Sequence, residues 1–111
     1  MERDDLEALA ADALEPLLGA PPPLLSTLAA GLAMAERPVA LFATSVGYVA
    51  QDLEQGEPPG PLAVLSMRYA LRVAAVEGSL VAKLATAESA FWAGVGNALA
   101  VVAADRLAAP A

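Results

Sequence analysis

The sequence predicts an all-α protein, a small antiparallel bundle of four or five helices. Three observations carry this expectation: apolar residues recur at spacings of three and four, proline and glycine divide the first half into helix-length pieces, and strand signals are missing. The chain has no Ile, five aromatic residues, no alternating apolar and polar segment, and no Asn-Gly or Asp-Gly turn. Its 111 residues fit one domain, 1–111, with helical segments up to residue 108 and a tail at 109–111. Removing 28 alanines from the 64 apolar residues leaves 36 larger ones, enough for a single core.

The first helix is predicted over residues 3–18. Asp4 or Asp5 suits its N-cap, the helix dipole favours carboxylates in its first turns, and Leu6, Leu9, Ala13, Leu14 and Leu17 share a face. Pro16 has no N–H to donate, so the helix should kink or end early there. The second helix is predicted over 23–36, with Leu25, Leu28, Leu32 and Ala35 in register, and Pro38 stops it because the residue before a proline is pushed out of the helical region. Pro38 then serves the first turn of a third helix reaching about Gln55. There Val39, Phe42, Val46, Val49 and Leu53 oppose Thr44, Tyr48 and Gln51. Gly56 suits the cap, and residues 56–61 form a Pro/Gly-rich linker.

After Pro61 there is no proline up to residue 107, and Leu65, Tyr69, Val73, Val76, Leu80, Leu84, Ala87, Phe91, Val95, Leu99 and Val102 keep one helical phase as an inward stripe. An unbroken helix of that length would reach about 70 Å, roughly twice the breadth of a compact domain of this size. Either the 61–108 region breaks near Gly78, with Gly78 as the C-cap glycine and Ser79 as the next N-cap, or it stays whole and reaches into another subunit. Ordinary helix lengths favour the break, and the unbroken phase favours the whole helix.

The absence of Cys and His removes disulfides, thiolate catalysis, Cys-type zinc sites, the commonest general base and the Glu-x-x-His pairs of carboxylate-bridged metal sites. No cofactor and no metal are expected. Up to residue 60 there are 10 acids and 2 bases, giving −8, and from residue 61 onward 3 acids and 4 bases, giving +1, which together make the net −7. That balance argues against nucleic acid or an anionic membrane surface and suits a cationic or neutral partner. The most apolar windows, 39–50 and 89–104, are shorter than the ~20 residues of a spanning helix, so no transmembrane segment is expected. Met1-Glu2-Arg3-Asp4-Asp5 lacks the basic and apolar regions of a secretory signal, which points to the cytoplasm, and the Ala and Leu content fits a GC-rich bacterial genome.

Small residues recur every fourth position through Ser66, Ala70, Ala74, Gly78, Ala82, Thr86, Ala90, Gly94 and Ala98. Such a row winds about 40° per step, so any close helix contact along it is local. Phe91 fits the apolar stripe, whereas Trp92 points about 100° away and either packs beneath another helix or stands out as an interface anchor. Trp92, Phe91, Gly94 and Ala90 are therefore interface candidates, and Tyr69, Arg72, Glu77 and Glu88 are candidates for holding a ligand. Glu77 and Glu88 share a flank but lie about 16 Å apart along one helix, too far for the carboxylate pair of a glycosidase or a shared metal. Pairing with Arg72 and Lys83 is their ordinary role. Arg68, Arg72 and Lys83 form a basic stripe whose nearest complements are the acids of the first helix.

These features lead to a non-catalytic protein-interaction or self-assembly module, a homo-oligomer or a binder of a helical partner, in which Gly94→Leu disrupts assembly. The alternative is a small-molecule-binding helical protein or proton-transfer enzyme whose apolar inter-helix pocket contains Glu77, with Tyr69 and Arg72 orienting the ligand. A third possibility makes the acidic first helix a detachable arm recognised by a basic partner.

Overall fold

Helix boundaries in the first half fall where proline and glycine put them. In a computed structural model, which describes residues 3–77, 80–87 and 89–108, α1 spans Arg3–Leu14 and tightens into a 3₁₀ turn at Glu15–Leu17 around Pro16. This is the early end that a residue without an N–H dictates. α2 (Pro22–Leu32) and α3 (Arg37–Glu54) each carry a proline in the first turn, where its missing donor goes unused. α2 ends four residues short of the predicted Glu36. After α3, Gly56 takes φ 74°, its N–H donates to Leu53 O at 3.0 Å, and the Glu57 N–H donates to Asp52 O at 2.9 Å. These are the two bonds of a Schellman cap, with glycine where the left-handed conformation requires it.

The second half divides into α4 (Pro61–Glu77), α5 (Leu80–Ala85) and α6 (Ala90–Ala108). α4 ends at Glu77 and α5 begins at Leu80, and the predicted break near Gly78 falls at residues 78 and 79, which lie outside the described residues. A break that the sequence phase did not predict separates α5 from α6, and the described residues form six α-helices in place of four or five, with no strand. At the end of α5 the Thr86 hydroxyl donates to Ala82 O at 3.1 Å and to Lys83 O at 3.3 Å, satisfying carbonyls of its last turn. Ser89 O then accepts the Ala93 N–H at 2.9 Å, opening α6. The 70 Å helix is thereby set aside; the longest dimension is 40 Å, and the radius of gyration, 12.9 Å, is close to the ~13 Å of a compact chain of this length.

α2 packs on α3, α3 on α4, α1 on α4 and α6, and α5 on α6. Phe42, Val46 and Val49 of α3 meet Leu25, Met67, Leu80, Leu84, Trp92, Val95 and Leu99 in one core. Each such side chain contributes about 1.5–3 kcal/mol by leaving water. Trp92 stands at the junction, edge-on to Phe42 (centroids 5.6 Å, 75°) and Phe91 (5.0 Å, 67°), its Nε1–H donating to Leu28 O at 3.3 Å. It ties α6 to both α2 and α3.

α3 and α4 meet through small residues. The buried Ser45 hydroxyl donates to Ala63 O at 2.8 Å, and Arg37 Nη2 donates to Tyr69 Oη at 3.1 Å, so the two helices pair in reverse order. At the other end, the Asp52 carboxylate accepts the Gly60 N–H at 2.8 Å and fixes the start of α4. This packing corrects the predicted phase of α4. Ala63, Met67, Ala70 and Leu71 are buried, while Leu65 and Tyr69, expected in the inward stripe, face solvent with Leu62. α4 is apolar on two sides, and the side with smaller residues allows the closer approach to α3.

Candidate interaction site

Leu62, Leu65 and Tyr69 are spaced by three and four, which puts them on one face of α4. They are 61%, 52% and 49% exposed, high for large apolar side chains on a helix whose opposite face is packed. Leu41 and Thr44 of α3 face them across an open cleft of 230 Å³, lined also by Leu65, Ser66 and Tyr69. The Thr44 hydroxyl bonds back to Ala40 O at 3.1 Å, leaving the cleft mainly apolar. Of the lining residues, Tyr69 accepts a bond from Arg37 Nη2 at its hydroxyl. Pockets that enclose small molecules are typically ~300–1,000 Å³, so this cleft is better matched to a side chain offered by a partner surface.

The residues singled out from sequence are dispersed. Trp92, 2% exposed, is in the core, and Phe91 is half-buried against it. Ala90 and Gly94 are exposed on α6, and a Cβ added at Gly94 would meet nothing within 4 Å. The glycine at a helix crossing is Gly96: a Cβ there would run into the backbone nitrogen of Ala85 and lie 2.7 Å from the Leu84 carbonyl carbon. Tyr69 is the candidate that lines the cleft, and Arg72 is exposed one turn further along α4. Glu77 ends α4 with its side chain outside the described residues, and Glu88 lies outside them altogether.

Lys83 pairs with Glu36 at 3.2 Å, tying α5 to the turn before α3. Both side chains are more than half exposed, so the pair contributes only about 0.2–1 kcal/mol. Among the described residues, no cluster of three or more acidic, His or Cys residues could hold a metal ion, and no helix is long and apolar enough to cross a membrane.

Leu41, Thr44, Leu62 and Arg37 belong to this site and were not singled out from the sequence. For Leu62 a signal exists in the two rows of α4, and Leu41, Thr44 and Arg37 of α3 carry none of their own. Ala63, Met67, Ala70 and Ala74 form a mostly small row that suits a neighbouring helix, and Leu62, Leu65 and Tyr69 form the larger row left over. Comparisons with protein-family models, with curated proteins and with solved structures return no match.

Proposed function

We propose that the protein is a small helical interaction module without catalytic activity, acting through the outer face of α4 and the cleft it shares with α3. The observation that supports this is the row Leu62, Leu65 and Tyr69, solvent-facing on a helix already packed on its other side. Covering it removes apolar area from water at about 25 cal/mol per Å², before the cost of association. The occupant is another copy of the chain or a helix of a second protein. An antiparallel bundle is the scaffold we favour, given the reverse-order pairing of α3 with α4 and the short 33–36 connection between α2 and α3. A small-molecule pocket oriented by Tyr69, Arg72 and Glu77 has less support, because the cleft beside Tyr69 is open and only 230 Å³.

Light scattering across a concentration series tests the self-assembly form. The expected result is a mass above the 11.2 kDa of one chain that returns to it in Leu65→Glu with helix content unchanged, while Gly94→Leu has no effect. A multimer that survives Leu65→Glu and fails in Gly94→Leu would move the interface to α6. A wild-type monomer leaves the heterologous form.

A further inference from the structure

The outer row of α4 ends in charges of opposite sign. Leu62, Leu65, Tyr69 and Arg72 follow one another at spacings of three, four and three, so Arg72 continues the exposed apolar row by one turn. On a chain with 13 acids, this exposed arginine has no hydrogen-bond or ion-pair partner among the described residues. The other end of the row lies against the turn that closes α3. There Asp52 Oδ2 accepts the Gly60 N–H and the Glu57 N–H donates to Asp52 O, so both acids stand beside the start of α4. The Glu57 side chain is exposed and, like that of Arg72, has no partner among the described residues. A carboxylate can accept several donors, so Asp52 keeps capacity for one more.

A face with acids at one end, apolar residues in the middle and a base at the other is complementary to itself when turned end for end. A two-fold axis imposes that turn, since residue i of one copy meets j of the other wherever j meets i. Residues 62 and 72 share a midpoint with residues 65 and 69, at the inward-facing Met67. With the axis opposite that point, Leu65 of each copy lies over Tyr69 of the other, at the mouth of its cleft, and Leu62 lies over the aliphatic stem of Arg72. The guanidinium then reaches on to the corner that holds Asp52 and Glu57 of the other copy. The two Arg72 residues are kept about 15 Å apart along the paired helices, so the bases do not meet.

The net charge of −7 opposes association through most surfaces, whereas residues 58–76 contain no Asp or Glu, and contact along α4 brings no carboxylates of that stretch together. The exposed parts of Leu62, Leu65 and Tyr69 amount to roughly 300 Å² per copy, against about 800 Å² per partner in a stable complex. With the Arg72 stem added, the contact belongs with small, reversible interfaces, and a dissociation constant on the order of 10–100 μM matches it.

We propose that two copies of the chain pair through α4 in antiparallel order about a two-fold axis, with Leu65 on Tyr69 and Arg72 on the corner formed by Asp52 and Glu57. This rests on the outer face of α4 being a docking surface and adds its occupant and orientation.

Sedimentation equilibrium of the full chain, from about 5 μM to about 1 mM, tests it. The mass is expected to rise from 11.2 kDa towards twice that value, and to stay at one chain in Leu65→Glu. Arg72→Glu and Glu57→Lys should each weaken pairing on the order of fivefold, because each turns two attractive contacts into repulsive ones. The double variant, carrying both changes, should pair more tightly than either single variant, with helical circular dichroism kept throughout. A dimer lost in Leu65→Glu but indifferent to the charge changes, or a double variant weaker than both singles, overturns the antiparallel arrangement and leaves the docking face standing. A dimer that survives Leu65→Glu overturns the docking face itself. A wild-type chain that stays monomeric over the whole range overturns the second copy as occupant and leaves the face to a helix of another protein.

Discussion

Trp92 concentrates the packing of three helices in one side chain. Its ring meets Phe42 and Phe91 edge-on, and its N–H is satisfied by Leu28 O, so α6 is held to α2 and α3 by both apolar area and a directed bond. Trp92→Ala should cost about 3–5 kcal/mol, a large part of the ~5–15 kcal/mol that holds a domain together. Trp92→Phe keeps a ring and loses the donor, and should cost less. Urea unfolding followed by circular dichroism reads both, and a Trp92→Ala midpoint unchanged from wild type would show that the ring carries no such weight. From the sequence, Trp92 was legible as a residue off the main stripe, with two placements left open. Periodicity along one helix says which way a side chain points, and the positions of α2 and α3 decide what it meets. Gly56 was legible outright, because a cap with positive φ is local chemistry.

At the scale of elements, two glycines in α6 make opposite predictions. Gly96 lies where α6 crosses α5, with the backbone of Leu84 and Ala85 in the space a Cβ needs. Gly96→Ala should therefore destabilise by about 1–3 kcal/mol through displaced backbone, outweighing the ~1 kcal/mol that alanine gains in helix propensity. Gly94 has open space around it, so Gly94→Ala should stabilise by up to about 1 kcal/mol. Thermal unfolding of the two variants compares the signs directly, and a shared sign would remove the crossing from its place at Gly96. The small-residue row had pointed to Gly94, because counting every fourth position ignores the break at 86–89. Once α5 ends at Ala85 and α6 opens at Ala90, the register of α6 on its neighbours is set afresh. The phase of α4 was misread for a related reason. A helix with apolar residues on two sides has no unique inward face in its sequence, and the fit of Ala63 and Ser45 against each other decides it.

Charge acts on the molecule as a whole. With a net −7 inside a body 40 Å long, the sum of −8 in residues 1–60 and +1 beyond them, the carboxylates repel one another on balance. The screening length falls from about 30 Å at 0.01 M salt to about 8 Å at 0.15 M, so the repulsion spans most of the molecule in the first condition and little beyond neighbouring side chains in the second. The exposed Lys83–Glu36 pair loses only tenths of a kcal/mol over the same range. Stability should therefore rise with NaCl, by roughly 2–4 °C in thermal midpoint for a gain near 0.5 kcal/mol. Thermal melts by circular dichroism over a salt series measure the trend. A midpoint that falls with salt would mean that attractive pairs outweigh the repulsion.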